Sequence, residues 1–186
     1  MPKTIAMPLA SALGTDTAMN ELWDFASDCY LRPGVAETCL RWQDGAGADV
    51  NMLLAAAWLA TRHECWQQRQ VAELIALCAQ WRSRCLLPLR EVRRYLRDNG
   101  GTDLYARLKE VELKAEAYQL RLLEQALTTP GAGHPVVHSE MTLTAALEHN
   151  LHIYLEQLPR SAAIGEREHE ITALTGLLSD CLASEP

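Results

Sequence analysis

Six arginines crowd into one stretch of this chain: Arg82, Arg84, Arg90, Arg93, Arg94 and Arg97. A guanidinium is a planar fork of donors, matched to the oxygens of phosphates and carboxylates. Arg90, Arg93, Arg94 and Arg97 are spaced to share one face of a helix. Residues 62–97 hold 8 basic and 3 acidic side chains, in a chain whose net charge is −7. This local excess predicts a docking face built from Arg82, Arg90, Arg93, Arg94 and Arg97, meeting an acidic protein or a phosphate-bearing ligand. An internal role competes with it: Glu110, Glu112 and Glu116 on a neighbouring helix could pair with the same cations. The overall acidity argues against non-specific nucleic-acid binding.

A second polar set lies at Gln43, Asp44, Asp49 and Asn51. Oxygen-bearing side chains this close together could hold a cation or a small ligand. A calcium loop needs oxygens at alternate positions, and counting from Asp44 those are Ala46 and Ala48, so that pattern fails. Turn chemistry accounts for the same letters. Gly45 and Gly47 permit the turn, and Asp49 is placed to cap the next helix.

The histidines suggest metal chemistry without completing it. His149 and His152 could share a helical face, and Glu166 precedes His169 by three. A di-iron bundle wants two such Glu-x-x-His pairs and two further glutamates, and only one pair is present. His134 and His138 flank a Gly/Pro loop without a third ligand. Cys29, Cys39, Cys65, Cys78, Cys85 and Cys181 form no Cys-x-x-Cys pair, and most sit at apolar helical positions, as buried free thiols do. That usage suits a reducing cytoplasm. There is no phosphate-binding Gly-x-x-x-x-Gly-Lys-[Ser/Thr], no Gly-x-Gly-x-x-Gly and no Gly-x-Ser-x-Gly. Neither a catalytic set nor a metal or cofactor is therefore assigned.

The elements that must position these groups read as helices. Asn20 is placed to cap a first helix ending near Leu31, and Pro33-Gly34 turns the chain. Val35, Cys39 and Trp42 stripe a second helix, stopped by Asp44 to Gly47. From Asp49 to Thr61 the apolar residues leave no polar face, so this third helix is expected at the centre of a bundle. Val71, Leu74, Ile75, Cys78, Trp81 and Cys85 stripe a helix over 70–87, which Pro88 either kinks or separates from one running to Arg97. Past Asp98-Asn99-Gly100-Gly101, Thr102 or Asp103 is placed to cap the longest helix, 103–128, which carries Leu104, Leu108, Val111, Ala115, Tyr118 and Leu122 at coiled-coil steps. Ser139 is placed to cap a sixth helix reaching Leu158, and a last one covers 166–182. No strand is expected, and no apolar run is long enough to span a bilayer. The fold class is an all-α, single-domain bundle of six or seven helices over 20–186, behind a flexible leader at 1–19.

Several of these residues recur in a pattern. Trp23-x-Phe25, Tyr30-x-x-Pro33-Gly34-Val35 and Cys39-Leu40-x-x-Gln43-Asp44-x-x-Gly47-x-Asp49-Val50-Asn51-x-Leu53-Leu54 resemble a family of bacterial, mainly proteobacterial, conserved hypothetical proteins of unknown function. Trp81-Arg82, Pro88-Leu89-Arg90, Glu112-Leu113-x-Ala115-Glu116, Asn150-Leu151 and Tyr154-Leu155 extend the likeness over roughly 20–156. The resemblance implies a small cytoplasmic helical protein and no particular activity.

Three functional expectations follow. The leading one is a non-enzymatic interaction or regulatory protein using the arginine face. The second is a metal- or ligand-binding enzyme in which Gln43, Asp44, Asp49 and Asn51 converge on one pocket. The third is a self-associating scaffold, a homodimer joined through the seam of the longest helix.

Overall fold

The computed structural model describes residues 21–100, 102–129, 135–137, 140–159 and 167–183. The expected leader, Asn20, His134, His138, Ser139 and Glu166 lie outside them. Among the described residues the helices are α1 (Glu21–Leu31), α2 (Val35–Ala46), α3 (Val50–Thr61), α4 (Gln68–Trp81), α5 (Leu87–Asn99), α6 (Thr102–Thr128), α7 (Leu143–Glu156) and α8 (Arg167–Ala183). The chain is an all-α bundle. None of these helices is long and apolar enough to cross a membrane.

α3 is the hub. Every residue from Val50 to Ala60 is buried, and the helix is packed by α1, α2, α6 and α7. A segment with no polar face gains by being enclosed on all sides, because each apolar side chain removed from water contributes about 1.5–3 kcal/mol. Ala55, Ala56, Ala57 and Ala60 keep its girth small enough for close neighbours. α8 packs on α7 and touches α2, closing the far side.

Pro88 does not separate two helices. A π-helical turn (Arg82–Leu86) joins α4 to α5, and Leu86 and Leu87 keep right-handed helical dihedrals. The widened turn sits where it is needed. Pro88 has no N–H to give and its ring crowds the carbonyl four residues back, so a wider backbone spacing just before it relieves both problems. Counting α4, the π turn and α5 as one continuous rod leaves seven helical rods among the described residues.

Two short strands were not expected. β1 (Glu64–Cys65) and β2 (Val136–Val137) pair antiparallel, two residues each, too short to show any period in sequence. α7 begins at Leu143, with Thr142 accepting from the Ala145 N–H as its cap. The seam expected on α6 is only partly buried: Ala115 lies inside and Leu108 and Leu122 are half-buried. Leu104, Val111 and Tyr118 are exposed, while Glu112, Gln119, Leu120, Leu123 and Leu127 turn inward.

Asn150 locks the α7 side. Its carbonyl accepts from the Trp66 N–H at 3.1 Å, and its amide donates to Ala56 O at 3.2 Å and Glu64 O at 3.0 Å. Trp66 Nε1 donates back to Asn150 O at 2.7 Å, and the Trp66 ring meets Tyr154 edge-on. Asn150→Ala leaves the buried Trp66 N–H without its acceptor and removes one donor each from Ala56 O and Glu64 O. It is expected to lower unfolding free energy by about 3 kcal/mol, read as a shift of the urea midpoint. A loss below about 1 kcal/mol would show that water replaces these bonds.

Candidate functional site

Asp49 ends the short turn after α2 and is only 4% exposed. One carboxylate oxygen accepts from the Asn51 N–H at 3.1 Å, as an N-cap does. The other accepts from Gln119 Nε2 at 2.5 Å, and Asn51 Nδ2 returns to Gln119 Oε1 at 3.1 Å. The Asp49 N–H donates to Tyr154 Oη at 2.6 Å. The carboxylate is thus committed to capping α3 and holding it against α6, while the Asp49 N–H ties the same turn to α7. Arg82 supports the same turn. Its Nη2 donates to Gly47 O at 2.8 Å and Ala48 O at 3.2 Å, and its Nε lies 3.8 Å from Asp49. Arg82 neutralises the carbonyls left over at the end of α2.

Beside this turn lies a cavity of about 370 Å³, enclosed by α1, α2, α3, α5 and α6. Its walls are mainly apolar, with Trp23, Ala26, Leu40, Val50, Leu54 and Leu120 among them. Volume and lining are those of a small-molecule pocket, which runs about 300–1,000 Å³. Ala106 and Glu110 of its lining are exposed on α6.

One wall is a buried quartet of charges. Arg90, 5% exposed, reaches Glu116 at 2.8 Å and Glu112 at 3.4 Å. Arg93 pairs with Glu112 through both Nε and Nη2. Two cations and two anions cancel, and each would be costly to bury without the others. Burial pulls the Arg90 pKa down, but Glu116 and Glu112 outweigh it and the net shift is upward. Burial dominates at Glu116, whose carboxyl is pushed above its ordinary range against the pull of Arg90. Its side chain keeps 23% of its surface open, on the cavity that it lines.

Neutral polar groups complete the lining. Ser27 Oγ is fully buried and has no hydrogen-bond partner among the described residues. Tyr30 borders the same space, and burial raises its phenol pKa, helped by Cys39 and Glu116. The Gln43 amide and Asn51 also face the cavity.

The two polar sets read from sequence therefore meet only in part. Gln43 and Asn51 from one, and Arg90 and Arg93 from the other, line a single cavity. Asp49 and Arg82 brace the turn beside it. Asp44 and Arg94 form an exposed pair at 3.6 Å, and Arg97 pairs with its exposed neighbour Asp98 at 2.8 Å. The shared arginine face divides because Arg90 and Arg93 turn toward α6 while Arg94 and Arg97 stay outside. Convergence of all four turn residues does not occur, since Asp44 is exposed and Asp49 is spent on capping. Glu112 and Glu116 act as the internal partners that competed with a docking role. Ser27, Tyr30 and Lys109 escaped the sequence reading; a serine inside the apolar stripe of α1 was the available signal.

Among the described residues no three His, Cys, Asp or Glu side chains gather as a metal site. His149 Nε2 lies 3.2 Å from Trp66 O, and His152 sits near Glu156 and Glu168. Cys39 and Cys78 are buried thiols pushed up to about 12 and about 11 by desolvation, too high for a thiolate nucleophile at neutral pH.

Fold and site together define a helical bundle with a side cavity. The chain belongs to the protein family of unknown function DUF2390, whose model matches residues 21–123, more than half of the chain. Every residue lining the cavity falls within that span, from Trp23 to Leu120. Asn150-Leu151 and Tyr154-Leu155 lie beyond it. No curated protein and no solved structure matches the chain.

Asp49→Ala removes the cap and strands the Gln119 amide, with an expected cost of about 3 kcal/mol in urea unfolding. A cost near zero would mean that the turn holds itself. Glu116 gives a pH signature. Its folded pKa lies above the ordinary 4.5, so its contribution favours folding below 4.5 and is lost as pH rises through the raised value. Glu116→Gln abolishes that dependence. Urea midpoints of the two proteins should therefore diverge in favour of the variant as pH rises above 4.5. Parallel curves would remove the assignment.

Proposed function

We propose that this protein binds a small, mainly apolar molecule carrying an uncharged hydrogen-bonding end. The observation that carries the reading is the cavity itself, mainly apolar in its walls and bordered by the neutral side chains of Tyr30, Gln43 and Asn51.

Charge balance supports a neutral end. Arg90, Arg93 and Lys109 are matched by Glu110, Glu112 and Glu116 in the lining, so the cavity offers no net field to an ion. Arg90 and Arg93 already hold carboxylates, and a phosphate would have to displace them. The neutral groups Ser27, Tyr30, Gln43 and Asn51 supply donors and acceptors for a hydroxyl, amide or ester carbonyl. This reading keeps Gln43 and Asn51 from the expected ligand site and gives Arg90 and Arg93 a wall rather than a docking role.

The test is a thermal-shift and calorimetry series with medium-chain alcohols, amides and esters against the matching carboxylates and phosphates. Neutral compounds should raise Tm by several degrees, and the anions should not. Ala106→Trp crowds the cavity from an exposed position, and should abolish the shift while leaving the unliganded Tm within about 2 °C. Stabilisation by the phosphates alone would replace this reading with an anion site.

A further inference from the structure

Two parallel rows run down the outer side of α6. Leu104, Val111 and Tyr118 recur every seven residues and are 58%, 50% and 37% exposed. Arg107, Lys114 and Arg121 recur at the same interval beside them. Residues seven apart are two turns apart, so each row is nearly straight, and from Leu104 to Arg121 the pair extends about 26 Å. Arg107 pairs with the exposed Asp103, at 3.1 Å. Arg121 lies over the Tyr118 ring at 5.3 Å, joining the rows. Lys114 has no ion pair among the described residues. This basic strip stands on a chain of net charge −7.

We infer that this strip of α6 docks an acidic amphipathic helix from another protein. Such a helix lays an apolar row along Leu104, Val111 and Tyr118 and a row of Asp or Glu along Arg107, Lys114 and Arg121. Charge complementarity selects this occupant over two others. A second copy pairing antiparallel sets the basic row against itself. A parallel copy would need the opposite flank, where Glu112 and Gln119 are buried in the fold. Residues 1–20 carry Asp16 as their single acidic side chain, too few for an acidic row. The surface is independent of the cavity, which uses the other side of α6. It moves the expected contact with an acidic protein from α5, where Arg90 and Arg93 are buried against carboxylates, to exposed cations of α6.

The experiment uses the full chain and three probes: a designed peptide of about five helical turns with one leucine row and one glutamate row, the same peptide with lysine for glutamate, and polyglutamate. Fluorescence anisotropy should show saturable binding of the acidic amphipathic peptide, weakened by salt, and little of the other two. Arg107→Glu/Lys114→Glu/Arg121→Glu should weaken that binding by at least about tenfold and gain the lysine peptide. Leu104→Ser/Val111→Ser should weaken it without changing the charge preference. All five positions are exposed or flank the exposed row, and circular dichroism confirms that the variants fold. Equal binding of polyglutamate, no binding of the acidic peptide, or a wild-type dimer that the serine variant disrupts would each overturn the inference.

Discussion

Enclosure of α3 is the constraint on which the rest of this structure depends. A helix that is apolar all round can be stable in water only when other helices cover every side. α1, α2, α6 and α7 do so. Its start must then lie in the interior, where free N–H groups are costly and no solvent can satisfy them. Asp49, Asn51, Gln119 and Tyr154 answer that need together, and Asn150 does the same near its other end. These buried polar contacts are directional, whereas apolar contact is not. They select one arrangement of α6 and α7 among the many that would cover α3 equally well.

The same enclosure leaves a gap on one side of α3. Val50, Asn51 and Leu54 face it, and α1, α2, α5 and α6 frame it without filling it. The quartet of Arg90, Arg93, Glu112 and Glu116 holds two of those walls together. Its members are mutually dependent, since removal of one leaves an uncompensated charge in a poorly solvated place. A wall made from matched ions is stiff and electrically quiet. That combination suits a space which holds an apolar molecule and reads its polar end through neutral groups.

Much of this was legible from residue order. The helices, the stop at Gly47, the Asp49 cap and the burial of α3 follow from period and from end-group chemistry, both local properties. The family match over residues 21–123 takes in the same elements. Other features were not legible because they depend on which surfaces meet. The apolar steps of Leu104, Val111 and Tyr118 suggest a buried seam, yet α6 turns the face bearing Glu112 and Gln119 inward. The demand for partners from Arg90, Arg93, Asp49 and Asn51 outweighs the apolar row. The ladder of β1 and β2 joins residues about seventy positions apart, beyond the reach of any local period.

By itself the sequence determined that this chain makes helices, where most of them end, and that residues 50–60 must lie inside. Those outcomes are set by neighbours within one or two turns. Only the tertiary structure decided that Gln43, Asn51, Arg90 and Arg93 border one cavity, that Ser27 is buried beside it without a partner, and that an exposed basic row lies on α6. The reason is physical. Periodicity states that a side chain has an inner and an outer choice, but the meaning of a charge depends on the opposite charge across the helix interface, and that pairing is made by the packing.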